Sequence, residues 1–340
     1  MKLSQVWLAL VVVFFCLPLF VGLGNRDLQG DEAIYSYSVD RILETGDWLI
    51  PKSSPWKTAP FLEKPPLKFW IVAAGIRAGL PHDEFGLRFW DAVFASAAFL
   101  YLFGIGRRLG GPVCGFVAVL LLFVHGPVLF EHGLREADME APLLLSYCGG
   151  VFHYLAWASS DTAPRRRLHA AAVGLFFTLG FMTKFVAAIF LPLFLGLASL
   201  IARDYRARAV RDWRVWLQAG LLTLALIVPW FAYATILFGR ELWTTILGAH
   251  VITRFTTYLD PAHLHPWNYY FVELAQALRE SGILWLTALG VALSGFVLIG
   301  PLELFMPRWP SAQWSEFMWV FWLLLGLLCT MVLILIVRPR

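Results

Sequence analysis

Charge is scarce in this sequence. Charged residues make up 15% of its 340 residues, whereas hydrophobic residues make up 59% and the formal net charge is +4. A soluble domain carries roughly a quarter charged residues, so this composition excludes an ordinary soluble protein and favours a polytopic membrane protein. No basic patch is interleaved with aromatic residues, so no nucleic-acid partner is expected.

Cysteine is equally scarce. The sequence has four, each inside or beside an apolar run. Their positions show neither metal-ligand spacing nor the pattern of a disulfide framework, which excludes a cysteine-held scaffold and indicates small buried side chains. The four are Cys16, Cys114, Cys148 and Cys329.

The abundant apolar residues are grouped into runs long enough to cross a bilayer. The first run follows Met1 and Lys2, exceeds a signal-peptide core and has no clean small-x-small cleavage site, so we expect an uncleaved span. At about 20 residues per span, the runs predict an all-α polytopic bundle of about nine spans. The predicted spans are residues 6–24, 89–106, 112–130, 141–158, 169–183, 186–202, 215–237, 281–299 and 317–337.

Arginines in the short connections orient this bundle. They all fall on one side, which the positive-inside rule makes the cytoplasmic side. The opposite side carries two long loops, residues 25–88 and 238–280, and a short one, residues 131–140. The orienting arginines are Arg107, Arg108, Arg165, Arg166, Arg167, Arg203, Arg206, Arg208, Arg211 and Arg214.

The first outer loop holds the densest group of ionisable residues. Apolar residues recur at helical spacing between positions 34 and 43, with charges between them, which predicts an amphipathic helix on the membrane surface that ends at Gly46. A proline pair beginning at Pro65 favours the start of a second half-buried helix. Glu63 and Lys64 would then lie just before that helix.

The outer segments carry groups that could meet in one cavity near the bilayer surface. Spacing alone leaves Asp31 and Glu32 open as catalytic carboxylates or as charges that hold the first span at the interface. Lys64 could bind substrate or extend its amine to lipid headgroups. Arg135 and Asp138, three residues apart, could form an internal ion pair.

The third outer segment adds histidines and aromatic residues. His263 and His265 could be metal ligands or interfacial polar residues, and a metal site would need a further ligand, for which Glu63 is a candidate. Tyr269 and its aromatic neighbours are typical of an interfacial belt, with a substrate-binding role as the alternative.

The order of the motifs is characteristic of one family. The chain carries "DEAIYSYSVDRILETGDWLIP", "FLEKPPLKFW" and "GLRFWDAVFA". Further on come "LREADMEAPLLL", a tight turn at Lys184 and "AHVITRFTTYLDPAHLHPWNYY". Over about residues 1–300 this series resembles the polyprenol-phosphate-sugar glycosyltransferases of the GT-C class, in the family-39-like group of lipid A aminoarabinose transferases and protein O-mannosyltransferases.

The resemblance implies a membrane glycosyltransferase that takes a sugar from a polyprenyl-phosphate donor. The acceptor would be a lipid A-like glycolipid, a glycan or a protein on the outer face of a bacterial inner membrane. A single carboxylate base implies inversion at the anomeric carbon. By resemblance, Asp31 is the catalytic base, Glu32 supports it, and Asp138 orients sugar or acceptor.

The resemblance also implies residues that bind substrate. Lys64 and Arg254 would contact the lipid phosphate, and we expect Arg135 and Tyr269 to contact substrate as well. Some relatives hold a divalent ion, for which the candidate ligands here are Glu63, His263 and His265.

The sequence departs from the family after the predicted ninth span. No Lys-Leu-Pro-His-Tyr-like landmark is found, so we expect a single transmembrane domain over residues 1–340 without the family's later spans and soluble C-terminal domain. Two alternatives stay open, a shortened non-catalytic family member and a lipid-handling or transport protein. A transporter would place ionisable residues inside its spans, whereas the clusters here lie in the outer loops.

Overall fold

The described part of the protein is helical. The computed structural model describes residues 3–52, 54, 60–130, 132–253, 266 and 268–280, and no strand occurs among them. A π-helical turn, Val12–Cys16, and a 3₁₀ turn, Leu17–Phe20, extend the first helix, and a π-helix covers Thr244–Thr253. The α-helices are α1 (Leu3–Val11), α2 (Asp31–Thr45), α3 (Leu67–Arg77), α4 (Glu84–Gly110), α5 (Pro112–Phe123), α6 (Gly126–Phe130), α7 (Glu140–Ala158), α8 (Ala163–Lys184), α9 (Val186–Ile201), α10 (Arg203–Arg211), α11 (Trp213–Phe238), α12 (Arg240–Trp243) and α13 (Tyr269–Glu280).

The chain divides into two compact units. The first comprises Met1–Phe123 and Pro127–Leu259, and it contains the candidate site. The second comprises Val124–Gly126 and Asp260–Arg340, within which the described residues include α13.

Two described helices are long and apolar enough to cross a membrane. They are α4, with 27 residues, and α11, with 26 residues, and they contain the predicted spans 89–106 and 215–237. The pair α9 and α10 would count as a third if it formed one broken span, although it bends by 108°. The count of about nine stays a prediction, and its last two members, 281–299 and 317–337, lie outside the described residues.

The predicted span 112–130 does not form one continuous helix. It is divided into α5 and α6 at residues 124 and 125. The predicted spans 141–158, 169–183 and 186–202 coincide with α7, α8 and α9, whose helical character is as expected.

Helix α4 lies at the centre of the first unit, in contact with α1, α3, α5 and α7, while α8 packs on α7 and α11. Around its middle, the buried side chains of Phe99 and Phe103 join Phe15 and Val119 in one apolar cluster. Aromatic rings pack by tilted and edge-on contacts, such as Phe99 on Phe123 at 6.2 Å between centroids. These contacts hold α4 against its neighbours, and the start of α4 contributes to the site.

Helix α2, Asp31–Thr45, contains positions 34 to 43, where the sequence predicts an amphipathic helix. It ends at Gly46, whose left-handed φ of 71° suits glycine at a helix C-terminus. Its buried residues Tyr35, Val39 and Ile42 pack against Phe69 and other residues of α3. The apolar face of α2 therefore contacts protein, and its position on a membrane surface stays a prediction.

A substitution where α4 and α5 cross tests this packing. A Cβ on Gly106 would lie 2.6 Å from Gly115 Cα, a backbone atom that a side-chain rotation cannot move away. We expect Gly106→Ala to lower the free energy of unfolding by about 1–3 kcal/mol, the usual cost of overpacking. The measurement is the melting temperature of the purified protein in detergent.

Gly196→Ala is the matched control, since a Cβ at this position in α9 meets nothing within 4 Å. Its melting temperature should equal or slightly exceed that of the wild type, because alanine favours the helix. Equal melting temperatures for Gly106→Ala and the control would contradict the close α4–α5 crossing.

Candidate active site

A cavity of about 540 Å³ opens beside the first residue of α2. Its walls come from the chain after the first helical stretch, the start of α2, the first turn of α4 and the segment between α6 and α7. Positive and negative side chains alternate on these walls. They include Arg26, Asp31, Glu32, His132, Arg135 and Asp138.

Asp31 places a carboxylate at the cavity wall. It is the first residue of α2, where the positive end of the helix dipole favours an anion, and it is half-buried. Tyr35, one helical turn later, donates its hydroxyl hydrogen to Asp31 Oδ2 at 3.1 Å. Burial raises the pKa of Tyr35, and the nearby Asp138 and Asp31 carboxylates raise it further, so Tyr35 remains a hydrogen-bond donor.

Glu32, beside Asp31 on the cavity wall, is buried and fully hydrogen-bonded. Only 5% of Glu32 is exposed, and Arg88 Nε and Nη2 donate to its two carboxylate oxygens at 2.7 and 2.8 Å. The Ala137 amide donates to the same carboxylate at 2.7 Å and the Gln29 amide at 3.3 Å. Burial raises the pKa of Glu32, but the hydrogen bonds from Arg88 and Ala137 outweigh it and hold the pKa below its ordinary value.

Arg88 also binds the chain that forms one cavity wall. Its Nη1 donates to the carbonyls of Leu23 and Arg26, each at 2.7 Å, and its Nη2 donates to the Asp27 carbonyl at 3.2 Å. One guanidinium therefore joins α4, α2 and residues 23–27.

Asp138 closes the cavity from the side of α7. Its buried carboxylate lies 2.8 Å from His132 Nδ1 and accepts the Met139 amide at 2.7 Å. Below it, the buried Lys68 amine pairs with Asp91 at 2.7 Å and also donates to the Asp138 backbone carbonyl. These bonds fix the position of the segment that carries Asp138.

The pKa values of Asp138 and His132 move in opposite directions. Burial raises the pKa of Asp138, but the His132 hydrogen bond and the Lys68 charge outweigh it and lower the pKa. The same hydrogen bond raises the pKa of His132 above its ordinary value, against a smaller effect of burial. Both shifts favour an imidazolium–carboxylate pair.

The two predicted carboxylates Asp31 and Asp138 lie close together, in one group with His132. One potential ligand atom from each of the three lies within 4.8 Å of the others. The sequence reasoning had not singled out His132, Tyr35, Lys68 or Asp91. Lys68 and Asp91 pair between separate helices, and His132 contacts Asp138 within a non-helical segment, so neither contact has a local sequence signature. For that segment, only the motif order around "LREADMEAPLLL" indicates a functional role.

The expected ion pair between Arg135 and Asp138 is not formed, although both belong to the described range 132–253. Arg135 Nε donates instead to the Leu19 carbonyl at 3.2 Å, and Nη2 donates to the Val21 carbonyl. Its guanidinium lies 5.3 Å from the centroid of the Phe130 ring. The segment is non-helical, so residues three apart do not share a face, and His132 contacts the carboxylate that Arg135 was expected to pair with.

Other predicted residues lie elsewhere. Glu63 is exposed and Lys64 half-buried in the turn before α3, and neither is among the described residues that line the cavity. Tyr269 begins α13, in the second unit. Arg254, His263 and His265 fall outside the described residues.

Lys184, at the tight turn of the family's motif series, ends α8. Its amine forms an ion pair with Glu140, the first residue of α7, and this contact ties the end of α8 to the segment that carries Asp138.

Comparison with solved structures finds the same helical fold in a membrane transferase. The crystal structure of ArnT from Cupriavidus metallidurans bound to undecaprenyl phosphate matches with a TM-score of 0.66 at 21% identity, over 83% of this chain and 51% of that chain. The structure of the same protein in the apo state matches with a TM-score of 0.65 at 20% identity, over 84% and 51%. At this identity the likeness concerns the fold.

The sequence shows to which protein family the chain belongs. The model of the dolichyl-phosphate-mannose-protein mannosyltransferase family matches residues 63–233, half of the chain, and the chain belongs to this family.

The curated relatives are longer than this chain. An undecaprenyl phosphate-alpha-4-amino-4-deoxy-L-arabinose arabinosyl transferase 2 of Pseudomonas fluorescens (strain Pf0-1) is 29% identical over 324 residues, which are 89% of this chain and 56% of the relative. An arabinosyl transferase 1 named for the same donor, from Sodalis glossinidius, is 25% identical over 80% of this chain and 47% of the relative. The chain thus spans about half the length of the curated relatives it matches.

Replacement of Arg88 tests whether its pair with Glu32 holds the walls of the cavity in place. Arg88→Met leaves the Glu32 charge buried without its guanidinium, so we expect unfolding to become easier by about 3–5 kcal/mol. The double variant Glu32→Gln with Arg88→Met should recover part of this loss, since no buried charge is left unpaired. Thermal unfolding in detergent measures both.

Arg41→Met is the matched control, because Arg41 pairs with Glu44 at 3.6 Å where both side chains are exposed. An exposed pair contributes roughly 0–1 kcal/mol, so this variant should unfold near the wild-type temperature. If Arg88→Met matched Arg41→Met, the pair at Arg88 would not be the anchor of the cavity.

Proposed function

We propose that the chain transfers a sugar from a polyprenyl-phosphate donor to an acceptor on the outer face of the membrane, with inversion at the anomeric carbon. The observation that carries the proposal is the cavity with the half-buried Asp31 carboxylate on its wall, in a chain of the mannosyltransferase family. The relatives' names support a donor of the undecaprenyl phosphate-aminoarabinose type. The proposed acceptor, a lipid A-like glycolipid, a glycan or a protein, is carried over from the sequence resemblance.

The proposed step is a direct displacement. An acceptor hydroxyl or phosphate oxygen attacks the anomeric carbon, and where the acceptor is a hydroxyl its proton passes to Asp31. The bond between that carbon and the donor's phosphate oxygen breaks, and polyprenyl phosphate leaves with the electron pair. Because phosphate is a good leaving group, one carboxylate base suffices, and a single displacement inverts the carbon.

The other residues receive supporting roles. Glu32 holds the start of α2 through Arg88, which supports the position of Asp31. Asp138, close to Asp31 on the cavity wall, orients the sugar or acceptor. Lys64 and Arg254 are proposed to contact the lipid phosphate, with Arg135 and Tyr269 as further substrate contacts.

We also propose how the chain is oriented in the membrane. About nine spans, with α2 and α3 in an outer loop at headgroup depth, would place the cavity on the periplasmic side of a bacterial inner membrane. The supporting observation is that Arg107 and Arg108 lie in the last turn of α4, whereas Arg88 near the start of that helix lines the cavity. The arginines of residues 165–167 lie at the start of α8, at the opposite end from Lys184, which pairs with Glu140.

A transfer assay with Asp31→Asn tests the proposed base. The asparagine keeps the size and the Tyr35 contact but cannot take a proton, so we expect transfer to fall by roughly 10²–10⁴-fold, the usual contribution of a general base. The donor is undecaprenyl phosphate-linked aminoarabinose, with lipid A as acceptor, and other polyprenyl-phosphate sugars and acceptors follow if this pair is inert.

Asp161→Asn, an exposed carboxylate on the connection between α7 and α8, is the matched control and should keep wild-type transfer. Unchanged transfer by Asp31→Asn would overturn the base assignment. No transfer by the folded wild type with any donor would overturn the enzymatic proposal and favour a non-catalytic family member.

A divalent ion remains part of the proposal, with Glu63, His263 and His265 as ligands and no step of the transfer assigned to it. We expect metal analysis of the purified protein to give about one ion per chain, lost when these three residues are replaced by alanine.

His132→Ala is the control, and it should keep the ion. Loss of the ion in His132→Ala with retention in the triple variant would move the site to the Asp31–His132–Asp138 cluster and contradict the predicted ligands.

A further inference from the structure

Helix α10 leaves the bundle at a right angle. The apolar helix α9 ends at Ile201, and after Ala202 the chain bends by 108° into α10. Four of the nine residues of α10 are arginine, whereas α9 has no charged residue. An apolar helix followed by a perpendicular basic helix is the geometry of a segment that leaves the hydrocarbon and turns along the membrane surface.

One face of α10 is already occupied by protein. Tyr205 and Ala209, one turn apart, pack on a buried cluster that contains Tyr154 and Trp157 of α7. The Tyr205 ring meets the Tyr154 ring edge-on at 5.5 Å. This packing fixes the rotation of the helix about its axis and determines which residues face outward.

Half of the exposed residues of α10 are arginines. Arg203, Arg206 and Arg211 are exposed, and none of them forms an ion pair within the described residues. The exposed Asp204 lies beside them. The nearest buried carboxylate, Asp212, is already bound by Arg166 at 3.0 Å and by the Trp157 indole at 3.1 Å.

Exposed apolar side chains flank these arginines. Ile201 is 74% exposed and Val210 is 68% exposed. Trp213 is 55% exposed, and the Arg214 guanidinium lies 5.4 Å from its ring centroid. Large apolar side chains beside unpaired guanidinium groups match the boundary between acyl chains and phosphates.

This surface is remote from the cavity. Asp138 lies just before the first residue of α7, while Trp157 lies in the last turn of that helix. At 1.5 Å per residue the two ends of α7 are about 25 Å apart. A ligand of α10 would therefore act independently of the proposed transfer.

We propose that α10 lies in the headgroup layer and binds anionic phospholipid through Arg203, Arg206 and Arg211. The planar guanidinium matches phosphate oxygens with paired hydrogen bonds. Zwitterionic lipids offer the same phosphate with no net charge, so the surplus of positive charge favours anionic lipids, by a margin that salt reduces. The apolar neighbours Ile201 and Val210 reach the acyl boundary and hold the helix at that depth.

The test compares the association of spin-labelled phosphatidylglycerol and phosphatidylcholine with the full chain in phosphatidylcholine vesicles, by electron spin resonance. We expect the wild type to prefer phosphatidylglycerol by at least about threefold at low salt, and less at high salt. The triple variant Arg203→Gln, Arg206→Gln and Arg211→Gln should lose most of this preference.

The control removes the same number of positive charges elsewhere, as Arg41→Gln, Arg77→Gln and Arg240→Gln, which lie in the predicted outer loops. It should keep the wild-type preference, and melting temperatures establish that both variants fold. An equal preference in the wild type and the α10 variant would overturn the proposal. So would a preference lost in the control variant alone, since the anionic lipid would then bind the opposite face.

Discussion

The candidate site depends on the buried pair between Glu32 and Arg88. Its two short hydrogen bonds join α2 to α4, and the same guanidinium holds the carbonyls of residues 23–27. The Glu32 carboxylate also accepts the Ala137 amide from the segment that leads to α7. Charges removed from water are tolerated only when they are paired and hydrogen-bonded, so this arrangement admits few alternatives. Most walls of the cavity are therefore fixed by one interaction.

The pair also separates the roles of two neighbouring carboxylates. Successive residues of an α-helix point about 100° apart, so Glu32 can be buried against Arg88 while Asp31, also on the cavity wall, stays half-buried. The binding of Glu32 on both oxygens orients the first turn of α2, and Tyr35 then contacts Asp31 from one turn further on. An acidic pair at the start of a helix thus supplies one structural and one accessible carboxylate, and only the accessible one suits proton transfer.

The sequence was informative where local patterns decide the structure. The helix that ends at Gly46, the helix start after Pro66 and the apolar helices α7 to α9 follow from periodicity, helix-ending residues and run length. It was not informative where the contacts lie in irregular turns or between different helices. A spacing of three residues brings Arg135 and Asp138 together only if the segment is helical. The segment is instead a series of turns, in which His132 contacts the Asp138 carboxylate. The Lys68–Asp91 pair, 23 residues apart, has no local signature.

Arginine serves two different purposes at the two ends of α7, and burial decides which. Arg88 is 5% exposed, so its charge requires the fixed hydrogen bonds to Glu32 and to backbone carbonyls, and the result is a single geometry. The exposed Arg203 and Arg206 need no internal partner, because water or lipid phosphates can surround them. A buried guanidinium thus gives the cavity its shape, whereas exposed ones leave α10 free to exchange one lipid for another. The buried positive charge of Arg88 can therefore select its partners by their position and orientation. The exposed arginines of α10 can select a lipid only by its net charge.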